Sequence, residues 1–330
     1  MNLSDITKIN FGSAGISAVY NGGIKLWPKQ VDTGNKVMKF TIVSGDTWNN
    51  THISAYTADN RLVEPVLKDA TGWTYPEDVE FLQCNGEPSA NLLTFEGFPK
   101  VVKLKTGDFL FYGNTKCTDI STANMDTSEC TNMQYMFSNC ENLTSLNLSN
   151  FDTSKVTKME DMFMDCRSLV SLDLSNWNTS QVSIMIEMFY GCRKLTTLSI
   201  SNWDTSRATN MQNMFTLCEG LTSLDLSNWN TSRLMKARQM FYGCSSLTTL
   251  NLSNWKTSKC QDMVNMFGSC SNLTSIDLSN WNISNTNING IFSGCSALTT
   301  VKMTNCSQAT KDKIRAALDA AGLTNVVITE

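Results

Sequence analysis

The chain contains a single histidine, His52, and that scarcity removes most general-base and metal schemes at the outset. Charge is scarce as well. Asp, Glu, Lys and Arg supply 17% of the 330 residues, below the roughly 25% usual in soluble domains, and the net charge is −4. Nothing here indicates a general nucleic-acid binder. No apolar run approaches the ~18–20 residues of a membrane helix. The opening MNLSDITKIN has neither the basic nor the apolar region of a secretory signal. Prolines are confined to positions 28, 65, 76, 88 and 99, and no C-x-x-C pair occurs among the 12 cysteines. What is plentiful is apolar side chain, 41% of the chain, enough for a large core and too much for disorder.

A strict period organises that apolar content. Cysteines fall at 140, 166, 192, 218, 244 and 270, each 26 residues after the last, and then at 295 after a one-residue deletion. A Met-Phe pair keeps the same step from Met136-Phe137 to Met266-Phe267 and ends as Ile291-Phe292. Six complete repeats occupy 136–290, and a half repeat reaches Met303. A worn copy, Leu110-Phe111-Tyr112-Gly113, stands 26 residues before Met136, as expected of an atypical terminal repeat.

Two periods alternate inside each repeat. Ser145-Leu146-Asn147-Leu148 alternates polar and apolar residues, the pattern of a half-buried strand. Asp152-Thr153-Ser154 then reads as a helix start with Ser154 at the N-cap. Val156, Met159, Met162 and Phe163 mark one face of a short helix. No single 26-residue coil can bury both apolar faces alone, so neighbours must stack, with parallel strands ~4.8 Å apart. The expected fold is an α/β repeat, a leucine-rich-repeat solenoid with a parallel sheet and short helices.

The unit LTSLDLSNWNTSxxxxxxxMFYGCSS resembles the 26-residue leucine-rich repeats of bacterial surface proteins, known also from Mycoplasma lipoproteins. The resemblance covers about 110–303 and implies a binding or adhesion scaffold with no catalytic residues to carry over. The segment 6–28, ITKINFGSAGISAVYNGGIKLWP, resembles N-terminal segments of virion proteins from phages of Bacteroides-type gut bacteria. There a similar element attaches the protein to the particle. That resemblance makes Tyr20, Leu26 and Trp27 the candidate anchor.

Five segments follow. Residues 1–28 form the attachment-like segment. Residues 29–109, with β-type runs at Lys36–Val43 and Val101–Leu104, read as a small β-rich domain. Residues 110–135 are a degenerate capping repeat, and 136–303 the solenoid. Residues 304–330 read as a cap, with Ile314, Ala317, Leu318 and Ala321 on one helical face, Gly322 as its stop and a last strand at Val326–Ile328.

The repeat arranges side chains in columns, and each column has a plain and a functional reading. The cysteine ladder reads as buried reduced thiols packing as small hydrophobes. Trp177, Trp203, Trp229, Trp255 and Trp281, with Phe151, read first as core and alternatively as a stripe stacking on sugar rings. Lys155, Gln181, Arg207, Arg233 and Lys259 read as a solubilising stripe. The outward strand positions are the candidate ligand face. One column is Ser145, Ser171, Thr197, Ser223, Thr249 and Ser275; the other is Asn147, Asp173, Ser199, Asp225, Asn251 and Asp277. The plain reading of this face is solvated surface multiplied by copying of the unit. The functional reading is a bed of hydroxyls, amides and carboxylates for a hydroxyl-rich glycan, with avidity from many copies.

The carboxylates Glu64, Glu77, Asp78 and Glu80 have no spacing that signals a glycosidase pair. No catalytic set, cofactor or metal site is therefore expected. The functional expectation is a non-enzymatic phage virion protein, tail or fibre associated and assembled in the bacterial cytoplasm. Its N-terminal part would bind other virion proteins, and its solenoid would meet a host surface glycan or protein, or a neighbouring subunit. Homo-oligomeric display is expected, with no nucleic-acid partner and no membrane insertion. The alternative is a bacterial cell-surface adhesin of the same repeat family whose export signal lies outside this chain.

Overall fold

A computed structural model describes the strands within residues 19–106 as backbone, and residues 103–330 with their side chains apart from 116, 117, 121, 123 and 124. Among the described residues, ten strands precede the repeats. They are β1 (Val19–Asn21), β2 (Ile24–Leu26), β3 (Met38–Ile42), β4 (Ile53–Thr57), β5 (Leu62–Val63), β6 (Val66–Asp69), β7 (Gly72–Tyr75), β8 (Val79–Cys84), β9 (Leu92–Glu96) and β10 (Val102–Thr106). β1 and β2 form an antiparallel ribbon. One sheet runs in the order β6-β7-β3-β9, antiparallel throughout. In a second sheet β10 lies parallel to β8 on one side and to β11 (Met125–Asp126) on the other. β10 is thus shared between the first hundred residues and the first coils of the repeat array.

The repeats wind into a parallel solenoid. Its strands are β12 (Ser171–Asp173), β13 (Thr197–Ser199), β14 (Thr249–Asn251), β15 (Ser275–Asp277), β16 (Thr300–Lys302) and, after helix α1 (Gln308–Ala320), β17 (Val327–Thr329). Pairing is in register, Ser171 with Thr197 and Thr249 with Ser275, so equivalent residues of successive coils sit side by side. Two stretches of the strand face are not paired as strands: 145–148 and 223–226.

The opposite side of each coil differs from the sequence expectation. Val156, Met159, Met162 and Phe163 are all buried, but no helix carries them. The segment is a run of overlapping β-turns. Met136, Ser138 and Cys140 donate N–H groups to residues three back, whereas Met133, Tyr135, Phe137 and Asn139 donate to carbonyls of the next coil at 2.7–3.1 Å. An α-helix would spend every N–H on its own carbonyls and leave nothing for the neighbouring coil. The device that flattens the chain is positive φ at every fourth residue, as at Tyr135 (57°) and Asn139 (60°), or Asp161 (57°) and Asp165 (55°). Glycine takes that place at Gly191 (71°) and Gly243 (72°).

Ser154 is not a helix N-cap either. The Asp152 carboxylate accepts the Ser154 N–H at 2.8 Å, an Asx-turn at a corner of the coil. The same corner recurs at Asn178-Ser180, Asp204-Ser206 and Asn230-Ser232.

The core is a set of columns. Phenylalanines from Phe111 to Phe292 stack ring on ring with centroids 5.2–5.8 Å apart. The indoles lie beside them: Trp177–Trp203 and Trp203–Trp229 stack at 6.3 and 6.2 Å. Cys140, Cys166, Cys192, Cys218, Cys244, Cys270 and Cys295 are buried free thiols. Each S–H points to a phenylalanine carbonyl of the preceding coil, as from Cys166 to Phe137 at 3.2 Å. The side chains of Cys84 and Cys117 lie outside the described residues.

α1 closes the far end. Ser307 caps it by accepting the Thr310 N–H, Thr310, Ile314 and Leu318 face inward, and Gly322 at φ +76° ends it. Lys313 reaches across and donates to the carbonyls of Ile283, Ser284 and Thr286 at 2.8–3.1 Å, satisfying the last turn of the final coil. β17 then pairs in parallel with β16.

Burial sets an order of cost between the two inward leucine columns of the strand. Leu278 is sealed (0% exposed), so Leu278→Ala is expected to cost about 2–5 kcal/mol in urea unfolding. Leu224, in the unpaired coil, is only partly buried, and Leu224→Ala should cost clearly less. Equal losses would contradict the difference in packing.

Candidate functional site

Of the twelve strand-face residues, nine are exposed, and Ser199, Ser275 and Asp277 are half-buried. The face is therefore outward, and its two columns do different work. Asn147, Asp173, Asp225, Asn251 and Asp277 each accept the N–H of the serine two residues on, at 2.9–3.1 Å. These are Asx-turns that steer the chain from the strand into the tryptophan corner. The serine contacts also hold the Asp173 and Asp225 carboxyls below the usual carboxylate range. One oxygen of each is thus committed to the fold and the other faces outward. Ser145, Ser171, Thr197, Ser223 and Thr249 have no such commitment.

The stacking stripe is overturned. Trp177, Trp203, Trp229, Trp255 and Trp281 are 1–3% exposed, sealed against the phenylalanine column, and offer no ring to a sugar. The indole N–H explains why tryptophan suits the corner. Those of Trp203, Trp229 and Trp281 donate to Leu174, Ile200 and Leu252 carbonyls at 3.0–3.2 Å, joining one coil to the last. The lateral cationic column also binds coil to coil: Lys155 pairs with Glu129 at 2.9 Å and Arg207 donates to Gln181 at 2.7 Å. For the anchor candidates, Tyr20 and Leu26 fall in β1 and β2, their side chains outside the described residues, and Trp27 is outside them altogether.

Sequence reasoning missed a column. Thr153, Thr179, Thr205, Thr231 and Thr257 are buried (0–3% exposed). Their hydroxyls donate to carbonyls of the next coil, as from Thr205 to Asn230 at 3.2 Å. The signal was there in the Thr that recurs in five successive repeats, from Thr153 to Thr257, with Ile283 in its place only in the last. A hydroxyl that recurs beside a core tryptophan is one that has a buried partner.

A second feature lies on the turn side. Tyr135, Asp161, Glu187 and Asn213 follow one another at 26-residue steps. Asp161 is 7% exposed, and Asn213 donates to Glu187 at 2.9 Å. Burial, the Glu187 charge and the nearby Glu160 push the Asp161 carboxyl up to about 7, against the opposing hydrogen bond of Tyr135. No group of three His, Cys, Asp or Glu is placed to hold a metal among the described residues. Burial raises the ladder thiols, Cys244 to about 12, which makes them inert as nucleophiles.

Against known proteins, a family model described as "Mycoplasma protein of unknown function, DUF285" matches residues 107–224 and 218–321. A search of the curated proteins found no match. Among solved structures, a leucine-rich repeat protein from Bacteroides ovatus is 14% identical, over 81% of this chain and 74% of its own. Its TM-score is 0.29, too low for any argument to rest on the superposition.

Two substitutions probe these columns. Thr205→Val keeps the shape but leaves the Asn230 carbonyl short of its donor, and about 1–3 kcal/mol of stability should be lost. A change within error would show that solvent replaces the hydroxyl. Asp161→Asn removes the carboxyl and its proton. The folded state binds that proton more tightly than the unfolded chain, so stability is lost as pH rises from about 4 to about 7. The variant, measured against the parent, should gain stability over that window and keep the gain at pH 8. A constant offset at every pH would contradict the raised carboxyl.

Proposed function

The chain belongs to the DUF285 family of Mycoplasma-type repeat proteins, and on that premise we propose that it is a non-enzymatic display protein of a phage virion. In this reading the first 28 residues attach it to other virion proteins through Tyr20, Leu26 and Trp27. The solenoid holds its strand face toward a receptor on the host cell. Several copies on one particle multiply contacts that are individually weak.

The observation that supports the reading is the contrast between the two sides of each coil. Inward columns spend thiols, indoles and hydroxyls on neighbouring coils, so the body is rigid. The outward column at Ser145, Ser171, Thr197, Ser223 and Thr249 spends nothing. A rigid body with a repeated, uncommitted polar face suits recognition of a surface. Family membership favours a second reading, a bacterial cell-surface adhesin, because the family is described from a cellular organism.

The full chain, fluorescently labelled, should bind intact cells of at least one gut bacterial strain saturably. The Tyr20→Ala/Trp27→Ala double variant should bind those cells as the parent does. Absence of saturable binding across the strains would overturn the receptor reading. Antibody labelling of the chain on the surface of uninfected producing bacteria would replace the virion reading with the adhesin one.

A further inference from the structure

The strand ladder opens between the coil carrying 145–149 and the coil carrying 171–176. Leu174, Leu252 and Leu278 each donate an N–H to a carbonyl of the next coil, at 3.1, 2.9 and 2.8 Å. Leu148, the equivalent residue, makes no such bond to Asp173, and neither do Ile200 and Leu226 to the coils that follow them on either side of the other unpaired stretch, 223–226. Among the described residues, no backbone hydrogen bond joins 145–148 to 171–173. The rung just before, from Val170 to Thr144, is stretched to 3.3 Å, against 2.8 Å from Thr196 to Val170.

The core registers the same opening. Trp203, Trp229 and Trp281 donate to the carbonyl 29 residues earlier. By that rule the acceptor for Trp177 is Leu148. Yet the buried Nε1–H groups of Trp177 and Trp255 have no partner, and they follow the two unpaired stretches 145–148 and 223–226. The result on the outer face is a cavity of about 440 Å³, whose lining includes Leu148 together with Asp119, Ser145, Asn147, Ser171 and Asp173. That volume falls in the range of small-molecule sites, roughly 300–1,000 Å³.

The lining selects a ligand class. It carries hydroxyls, two amides, two carboxylates and unspent backbone groups, and no Lys or Arg, so anions are repelled. Asn147 and Asp173 each commit one oxygen to a serine N–H, which fixes the side chain and leaves the rest to reach outward. With the tryptophans sealed below, recognition has to come from hydrogen bonds to many hydroxyls. We infer that this notch is a saccharide site, taking a neutral, hydroxyl-rich sugar unit of a surface glycan. The inference rests on the display reading above and places its receptor contact at one pair of coils.

The test uses the full chain in affinity electrophoresis through gels containing dextran, mannan, galactan or the anionic polymer alginate. Retardation by at least one neutral polymer is expected, and none by alginate. Ser171→Trp, which fills the notch from an exposed strand position, should weaken that retardation about tenfold or more. Thr249→Trp, the same change at an exposed position of a paired strand three coils away, should leave it unchanged, with equal melting temperatures for all three proteins. Equal retardation of the parent and Ser171→Trp would move the site off the notch, and preference for alginate would overturn the ligand class. Cell binding without retardation by any neutral polymer would overturn the saccharide site and leave the display reading standing. Loss of both would end both.

Discussion

Every coil depends on hydrogen bonds that it cannot make by itself. A flat 26-residue loop has few internal partners for its backbone, and an unpaired buried amide or carbonyl costs more than a made bond returns. The coil before and the coil after supply what is missing, through strand rungs on one side and turn-to-turn bonds on the other. Side chains fill the remaining gaps. Cysteine S–H, tryptophan Nε1–H and threonine hydroxyl each reach a neighbouring coil's carbonyl. The exact 26-residue spacing follows from this, because a shift of one residue would misplace all these donors at once.

The same constraint separates the columns by role. A side chain that completes a neighbour's backbone is held to one type, and the threonine and cysteine columns show it. Where the coil faces solvent no such demand exists, so Ser and Thr interchange along one outward column. Asn and Asp recur along the other because either closes the corner turn, with Ser199 the departure. Function is therefore best sought where the network lets go. It does so between 145–148 and 171–173, where missing rungs, an unpartnered indole and a cavity coincide. The Asp161–Glu187 pair is a different kind of exception. Stacking brought two acidic side chains together at successive coils, and the fold accommodates them by raising the Asp161 carboxyl.

Much of this was legible in the sequence. The period itself marked the solenoid, and alternation at Ser145–Leu148 marked which strand side chains face out. The apolar spacing from Val156 to Phe163 picked out the buried residues correctly but named the wrong backbone. A helix and a run of turns bury the same i, i+3, i+7 positions, so hydrophobic pattern alone does not distinguish them. The deciding fact is where the N–H groups go, which depends on the neighbouring coil. Likewise the Asp-Thr-Ser triplet looked like a helix cap because an Asx-turn and an N-cap use the same side-chain oxygen on the same nearby amides.

The sequence by itself determined the stacking: a repeat of that length with two apolar faces has no other way to leave water. It also determined that the thiols and the sulfur-rich turn side would be interior, since apolar residues recur there at a nearly constant step, with Ala237, Ile288 and Ile291 the departures from methionine. The tertiary structure alone decided the fate of the tryptophans and the geometry of the outward face. An indole at a corner is equally compatible with a core whose N–H is satisfied and with an exposed platform. Only the position of the preceding coil's carbonyl, a residue 29 places away, settles which. The opening beside Trp177 is of the same kind. The unit LTSLNLSN at 143–150 gives little sign of it beside LTTLNLSN at 247–254, whose strand is paired. It arises from how two coils meet, and that relation is carried by no single repeat.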